Sequence, residues 1–73
     1  MNGAEFIKRI RKIGRKQDIE VHFEPRPGKG SHGRLYVGDR FTTVKDRKKE
    51  IGPGLLAKML RDLGLNRDAF DEE

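Results

Sequence analysis

Seventy-three residues, two histidines and no cysteine make at most one small domain, read as residues 1–73, and exclude a disulfide framework, thiolate zinc chemistry and a cysteine nucleophile. No apolar stretch approaches the ~20 residues of a membrane span, so the expectation is a cytoplasmic protein with no membrane contact. The net charge of +5 is unevenly spread: residues 1–61 carry 16 Lys and Arg against 7 Asp and Glu, and a basic body of this size points to a nucleic acid or to an acidic protein.

From Ala4 to Lys16, Phe6, Ile7, Ile10 and Ile13 recur at helical spacing, with Lys8, Arg9, Arg11, Lys12 and Arg15 opposite. Asn2 and Glu5 have the spacing of a capping box, and Gly14 reads as the place where the helix begins to end. The basic face is either plain solvated surface or a contact for a phosphate backbone or an acidic partner. Ile19, Val21 and Phe23 then alternate with Glu20, His22 and Glu24, the pattern of a half-buried strand ended by Pro25.

Pro25-Arg-Pro-Gly-Lys-Gly-Ser-His-Gly33 cannot be helical, and Arg26, Lys29, Ser31 and His32 give it the chemistry of a phosphate-binding loop. Residues 34–37 and 40–44 flank Gly38-Asp39 as a hairpin. A two-residue turn puts Leu35, Val37, Thr42 and Val44 on the face turned toward the helices, and Tyr36, Phe41 and Thr43 on the other. The charged connector 46–50 precedes Gly52-Pro53-Gly54, a helix start, and Leu55, Leu56, Met59, Leu60 and Leu63 form one stripe closed by Gly64. Asn66 can cap a last turn through Phe70, and residues 67–73 read as an acidic tail. The expected fold class is α+β in the order α-β-β-β-α, a three-stranded antiparallel sheet with two helices on one face and the other face open.

Residues 28–33 match G-x-G-x-x-G, but a strand rather than a helix follows, and the chain has no room for a kinase catalytic loop, so neither a dinucleotide site nor a kinase fits. Two histidines and dispersed acids form no recognisable metal site, and no cofactor is expected. His32 shares the open-face parity of Arg34 and Tyr36, and His22 lies on the open parity of the first strand. Were the two strands paired, a histidine pair flanked by Lys29 and Arg34 would suit metal-free RNA cleavage, one imidazole taking the ribose 2′-OH proton while a cation steadies the phosphorane. Both histidines can equally be idle exposed side chains. Tyr36 and Phe41 can stack unpaired bases or simply pack.

Gly28-Lys29-Gly30-Ser31-His32, the upstream amphipathic helix, the hairpin, and Lys49-Glu-Ile-Gly-Pro-Gly-Leu-Leu56 entering a leucine-rich helix together resemble the HicA (YcfA-like) toxin family over roughly residues 3–66. The resemblance implies a fold like the double-stranded-RNA-binding domain, an mRNA interferase activity and a HicB-type antitoxin as partner. It carries the catalytic histidine onto His32 and its neighbours onto Gly30 and Ser31; His22 comes from the strand pattern alone. Many relatives continue the third strand into Val-Pro-x-His, where this chain has Val44-Lys45-Asp46-Arg47, and place a polar or aromatic residue where it has Gly33. The expected function is a metal-independent endoribonuclease toxin acting on mRNA, with Lys29 and Arg34 at the phosphate. The alternatives are a non-catalytic RNA-binding module and a basic partner of an acidic protein.

Overall fold

The first helix starts at its capping box: the Asn2 side chain accepts from the Glu5 N–H at 2.9 Å, and the Glu5 carboxylate accepts from the Asn2 N–H at 3.0 Å. In the computed structural model, which describes residues 1–72, this helix, α1, spans Gly3–Gln17. It extends one residue beyond the expected Ala4–Lys16 at each end, and Gly14 lies in its last turn. The chain reverses at Asp18, whose φ of 56° is left-handed, and the Ile19 N–H closes the end on the Gly14 carbonyl at 2.8 Å. Gly14 has a different task. A Cβ there would stand 2.4 Å from Val21 Cγ2 and 2.8 Å from the Ile19 carbonyl oxygen, so its bare backbone lets the departing chain cross the helix.

Strands β1 (Val21–Pro25), β2 (Gly33–Val37) and β3 (Arg40–Val44) pair antiparallel in the order β1-β2-β3. Val37 pairs with Arg40 across the two-residue turn Gly38-Asp39, with Gly38 at φ 60°. That register delivers the expected faces. Leu35, Val37, Thr42 and Val44 are buried, while Arg34, Phe41 and Thr43 are exposed and Tyr36 is half-buried.

Helix α2 (Pro53–Asp62) opens with Pro53 in its first turn and closes on Gly64, at φ 69°, where the Gly64 and Leu65 N–H groups reach the Arg61 and Leu60 carbonyls. Leu56, Met59, Leu60 and Leu63 pack into the core, but Leu55 does not and stays 42% exposed. The buried four follow the i, i+3, i+4, i+7 arc, and Leu55 stands one position outside it. Arg40 on the edge strand donates to the Asp62 and Arg61 carbonyls at 3.0 and 3.2 Å, satisfying helix-end acceptors, and buried Thr42 donates to the Asp62 carboxylate at 2.8 Å. The Lys58 ammonium at 2.9 Å, followed by the Thr42 hydroxyl, holds the Asp62 carboxyl below its ordinary range.

A short helix, α3 (Arg67–Asp71), is capped by Asn66, whose side chain accepts from the Ala69 N–H at 2.8 Å. Its Phe70 is buried against Phe6, with ring centroids 5.6 Å apart, and Arg9 lays its guanidinium over the same ring at 5.3 Å. Arg9, grouped by spacing with the solvent-facing cations, is thus a packing residue. The charged connector is tied to the start of the chain: the Ala4 N–H bonds the Arg47 carbonyl, the Ile51 N–H bonds the Met1 carbonyl, and the Met1 ammonium pairs with Glu50. All helices stand on one face of the sheet, and the core is the apolar layer between them, drawn from α1, β2, β3, α2 and Phe70. The other face has no cover.

Candidate functional site

The loop between β1 and β2 is two turns in succession. The Lys29 N–H bonds the Arg26 carbonyl at 3.2 Å, the His32 N–H bonds the Lys29 carbonyl at 3.1 Å, and the Arg26 N–H closes the base on the His32 carbonyl at 2.9 Å. Gly28 and Gly30 sit at φ 75° and 58° with open space around them, so glycine is needed there for conformation and not for room. Gly33 is the opposite case. A Cβ on it would lie 2.4 Å from the Phe23 ring and 2.6 Å from the Glu24 carbonyl oxygen. Phe23 therefore fills the space that a side chain at Gly33 would need, with Arg47 stacked on it at 5.0 Å.

This loop fixes one side chain. His32 Nδ1 lies 2.9 Å from the Lys29 carbonyl oxygen, and because a carbonyl only accepts, Nδ1 carries the proton. Nε2 is then the nitrogen with a lone pair. His32 is exposed and borders an open depression of about 330 Å³ lined by Glu24, Arg26, Arg34, Tyr36 and Thr43 together with both loop prolines and Gly33. The depression thus brings together two guanidinium residues, an imidazole, the Tyr36 and Thr43 hydroxyls and one carboxylate, Glu24, a lining in which the arginines suit an anionic group.

The cross-strand register arranges the rest of the open face in rows. Glu24, Arg34 and Thr43 stand opposite one another, and so do His22, Tyr36 and Phe41. In the second row the ring centroids are 6.4 Å apart from His22 to Tyr36 and 5.6 Å from Tyr36 to Phe41, and Arg34 crosses between rows with its guanidinium 4.8 Å from the Phe41 centroid.

Of the residues singled out from the sequence, His32, Arg34 and Tyr36 come together at the depression. The two histidines do not. His22 pairs with Tyr36, four residues along β2 from His32, a separation of about 13–14 Å at ~3.4 Å per residue. The His22 Nε2 is engaged instead with Glu24 at 2.7 Å. The strands do pair, but the loop carries His32 past the end of the ladder. Gly30 and Ser31 form the second turn of the loop, and Lys29 contributes its backbone carbonyl there, its side chain standing outside the depression. The cations Lys8, Arg11, Lys12 and Arg15 of α1 are exposed, Arg11 and Arg15 standing beside Ile19 and Val21, and none of the four lines the depression at His32.

Glu24 and Thr43 were missed as lining residues. The signal for both was strand parity, which puts Glu24 with His22 and Thr43 with Phe41. Among the described residues, no group of three or more His, Asp or Glu is placed to hold a metal ion, and no helix is long and apolar enough to cross a membrane.

Comparison with curated proteins and with solved structures returned no match. Comparison with protein-family models did: residues 3–65 match the family described as the HicA toxin of bacterial toxin-antitoxin systems. That stretch covers α1, the whole sheet, the glycine loop and α2, and the chain accordingly belongs to the HicA toxin family.

Proposed function

We propose that this toxin is a metal-independent endoribonuclease that cleaves mRNA with His32 as its general acid/base, and that a HicB-type antitoxin is its partner. Membership of a family whose members are generally mRNA interferases supports the reaction class, and a toxin of this kind implies an antitoxin. The observation that carries the assignment to His32 is its hydrogen bond to the Lys29 carbonyl, which leaves Nε2 as the lone-pair nitrogen beside a depression lined by arginine.

In this reading Nε2 takes the proton of a ribose 2′-OH as that oxygen attacks the adjacent phosphorus. The P–O5′ bond breaks, leaving a 2′,3′-cyclic phosphate and a 5′-hydroxyl, and the imidazolium can return its proton to the leaving oxygen. The Nδ1–H keeps its carbonyl partner in both protonation states, so the ring need not reorient during the cycle. Arg34, two residues along β2 from the loop end, neutralises charge that develops on the phosphorane oxygens, and Arg26 lies close enough to share it. Lys29, Gly30 and Ser31 hold the RNA backbone through the exposed turn. Beyond its bond to Glu24, His22 has no part in proton transfer at this distance.

The test compares the parent protein with His32→Ala on labelled RNA, each with and without EDTA. The expected result is cleavage unaffected by EDTA and lowered by about 10²- to 10⁴-fold on substitution. Equal cleavage by the two proteins removes His32 from the mechanism, and loss on chelation removes metal independence.

A further inference from the structure

The sheet face that no helix covers carries no aliphatic side chain at its strand positions. Its six outward residues are His22, Glu24, Arg34, Tyr36, Phe41 and Thr43, three rings and three polar groups. The rings form one row across all three strands, and Phe41 at its end is 44% exposed although the chain has only four phenylalanines to spend on a core. We propose that the row His22–Tyr36–Phe41 is a stacking platform for unpaired RNA bases, which selects single-stranded segments and sets which phosphate reaches His32. The substrate class rests on the reading of this chain as a ribonuclease.

Three observations lead to RNA as the occupant. The face presents three rings, with the Arg34 guanidinium 4.8 Å from the Phe41 centroid and the one carboxylate, Glu24, held by His22 at 2.7 Å, and rings with a guanidinium receive nucleobases whatever their sequence. The platform is continuous with the depression at His32 through Tyr36 and Arg34, which belong to both. Its spacing also suits a short strand. Tyr36 lies four residues beyond His32, which immediately precedes β2, so their backbones are at most about 13–14 Å apart, which no more than about four nucleotides cross at a stacked rise of ~3.4 Å each. An A-form duplex keeps its base faces inside the stack and has nothing to lay on these rings.

The protein contains one tyrosine and no tryptophan, so its ultraviolet emission reports on Tyr36 alone. The experiment titrates the His32→Ala protein, which by the proposed mechanism leaves RNA intact, with an unstructured oligouridylate and with an A-form duplex of the same length, reading Tyr36 emission and the anisotropy of end-labelled RNA together. Expected are quenching of Tyr36 in step with single-strand binding, none with the duplex, and a loss of single-strand affinity of roughly 5- to 150-fold in Phe41→Leu with duplex affinity unchanged. Absence of single-strand binding, unchanged emission at saturation, or equal affinity of the Leu variant overturns the platform. Loss of antitoxin binding alone in Phe41→Leu assigns the face to a protein partner and overturns it as well. A parent protein that cleaves RNA while Tyr36 emission stays constant refutes the platform only; one that binds with quenching but does not cleave refutes the ribonuclease reading only.

Discussion

The two faces of one sheet were built from alternate residues of the same three strands, and they have gone in different directions. Toward the helices, Leu35, Val37, Thr42 and Val44 are no more than 6% exposed; on the other side Arg34, Phe41 and Thr43 are exposed and Tyr36 is half-buried. A strand of five residues has room for two or three side chains per face. In a chain this small, where each buried side chain is worth ~1.5–3 kcal/mol against a total stability of ~5–15 kcal/mol, leaving one sheet face out of the core is a considerable sacrifice. The difference shows that alternation along the same strands sends one set of side chains into the core and leaves the other facing solvent, as antiparallel sheets commonly do.

Substitutions on the two faces break that comparison in opposite ways. Leu35→Ala, on the closed face, is expected to lower unfolding free energy by about 2–5 kcal/mol in a urea titration, because it leaves a cavity under α1 and α2. Gly14→Ala comes next and tests how tightly the closed side is drawn together. Alanine gains ~1 kcal/mol of helix propensity, but its methyl meets the Ile19 carbonyl, a backbone atom that cannot rotate aside. A net loss of about 1–2 kcal/mol follows, and a gain in stability would show that the chain shifts freely at this crossing. Phe41→Leu, on the open face, is expected to cost less than ~1 kcal/mol of stability in the same assay while impairing RNA binding. A loss as large as that of Leu35→Ala would mean that the open face is structural after all.

The smallest effect concerns Asp62, which joins β3 to α2. Its carboxyl is held below its ordinary value of 3.8 by Lys58 first and Thr42 second. A group whose pKa is depressed in the folded state contributes stability in full above its unfolded value and loses it as pH falls through the folded one. Parent protein should therefore lose more stability than Asp62→Asn as the pH is taken from neutral to well below 3.8, and parallel curves would show that this carboxylate is not linked to folding.

Much of the fold was legible because its signals are local. The Asn2–Glu5 spacing gave the start of α1, and Gly38-Asp39 fixed the hairpin register, from which both faces of β2 and β3 follow. What escaped depends on distances between segments far apart in the chain. The place of Gly14 near the helix end was legible, but not the close crossing it permits, because its contact with Val21 exists only after the chain has turned at Asp18. The separation of His22 from His32 depends on how β1 and β2 align across a loop whose length does not fix their register. Arg9 and Leu55 were each misplaced because periodicity gives a direction around a helix but not what stands in that direction. At the candidate site, parity put His32, Arg34 and Tyr36 on one face, whereas the Lys29 carbonyl behind His32 is a backbone group that no residue type announces.

Phe70 lies five residues beyond the end of the stretch that matches the family, yet it is 1% exposed and rests on Phe6. A domain boundary drawn by likeness alone would end at residue 65 and cut off a core residue together with the acids that surround it. Here the unit defined by ancestry is shorter than the unit defined by packing, and a fragment prepared for study has to follow the second.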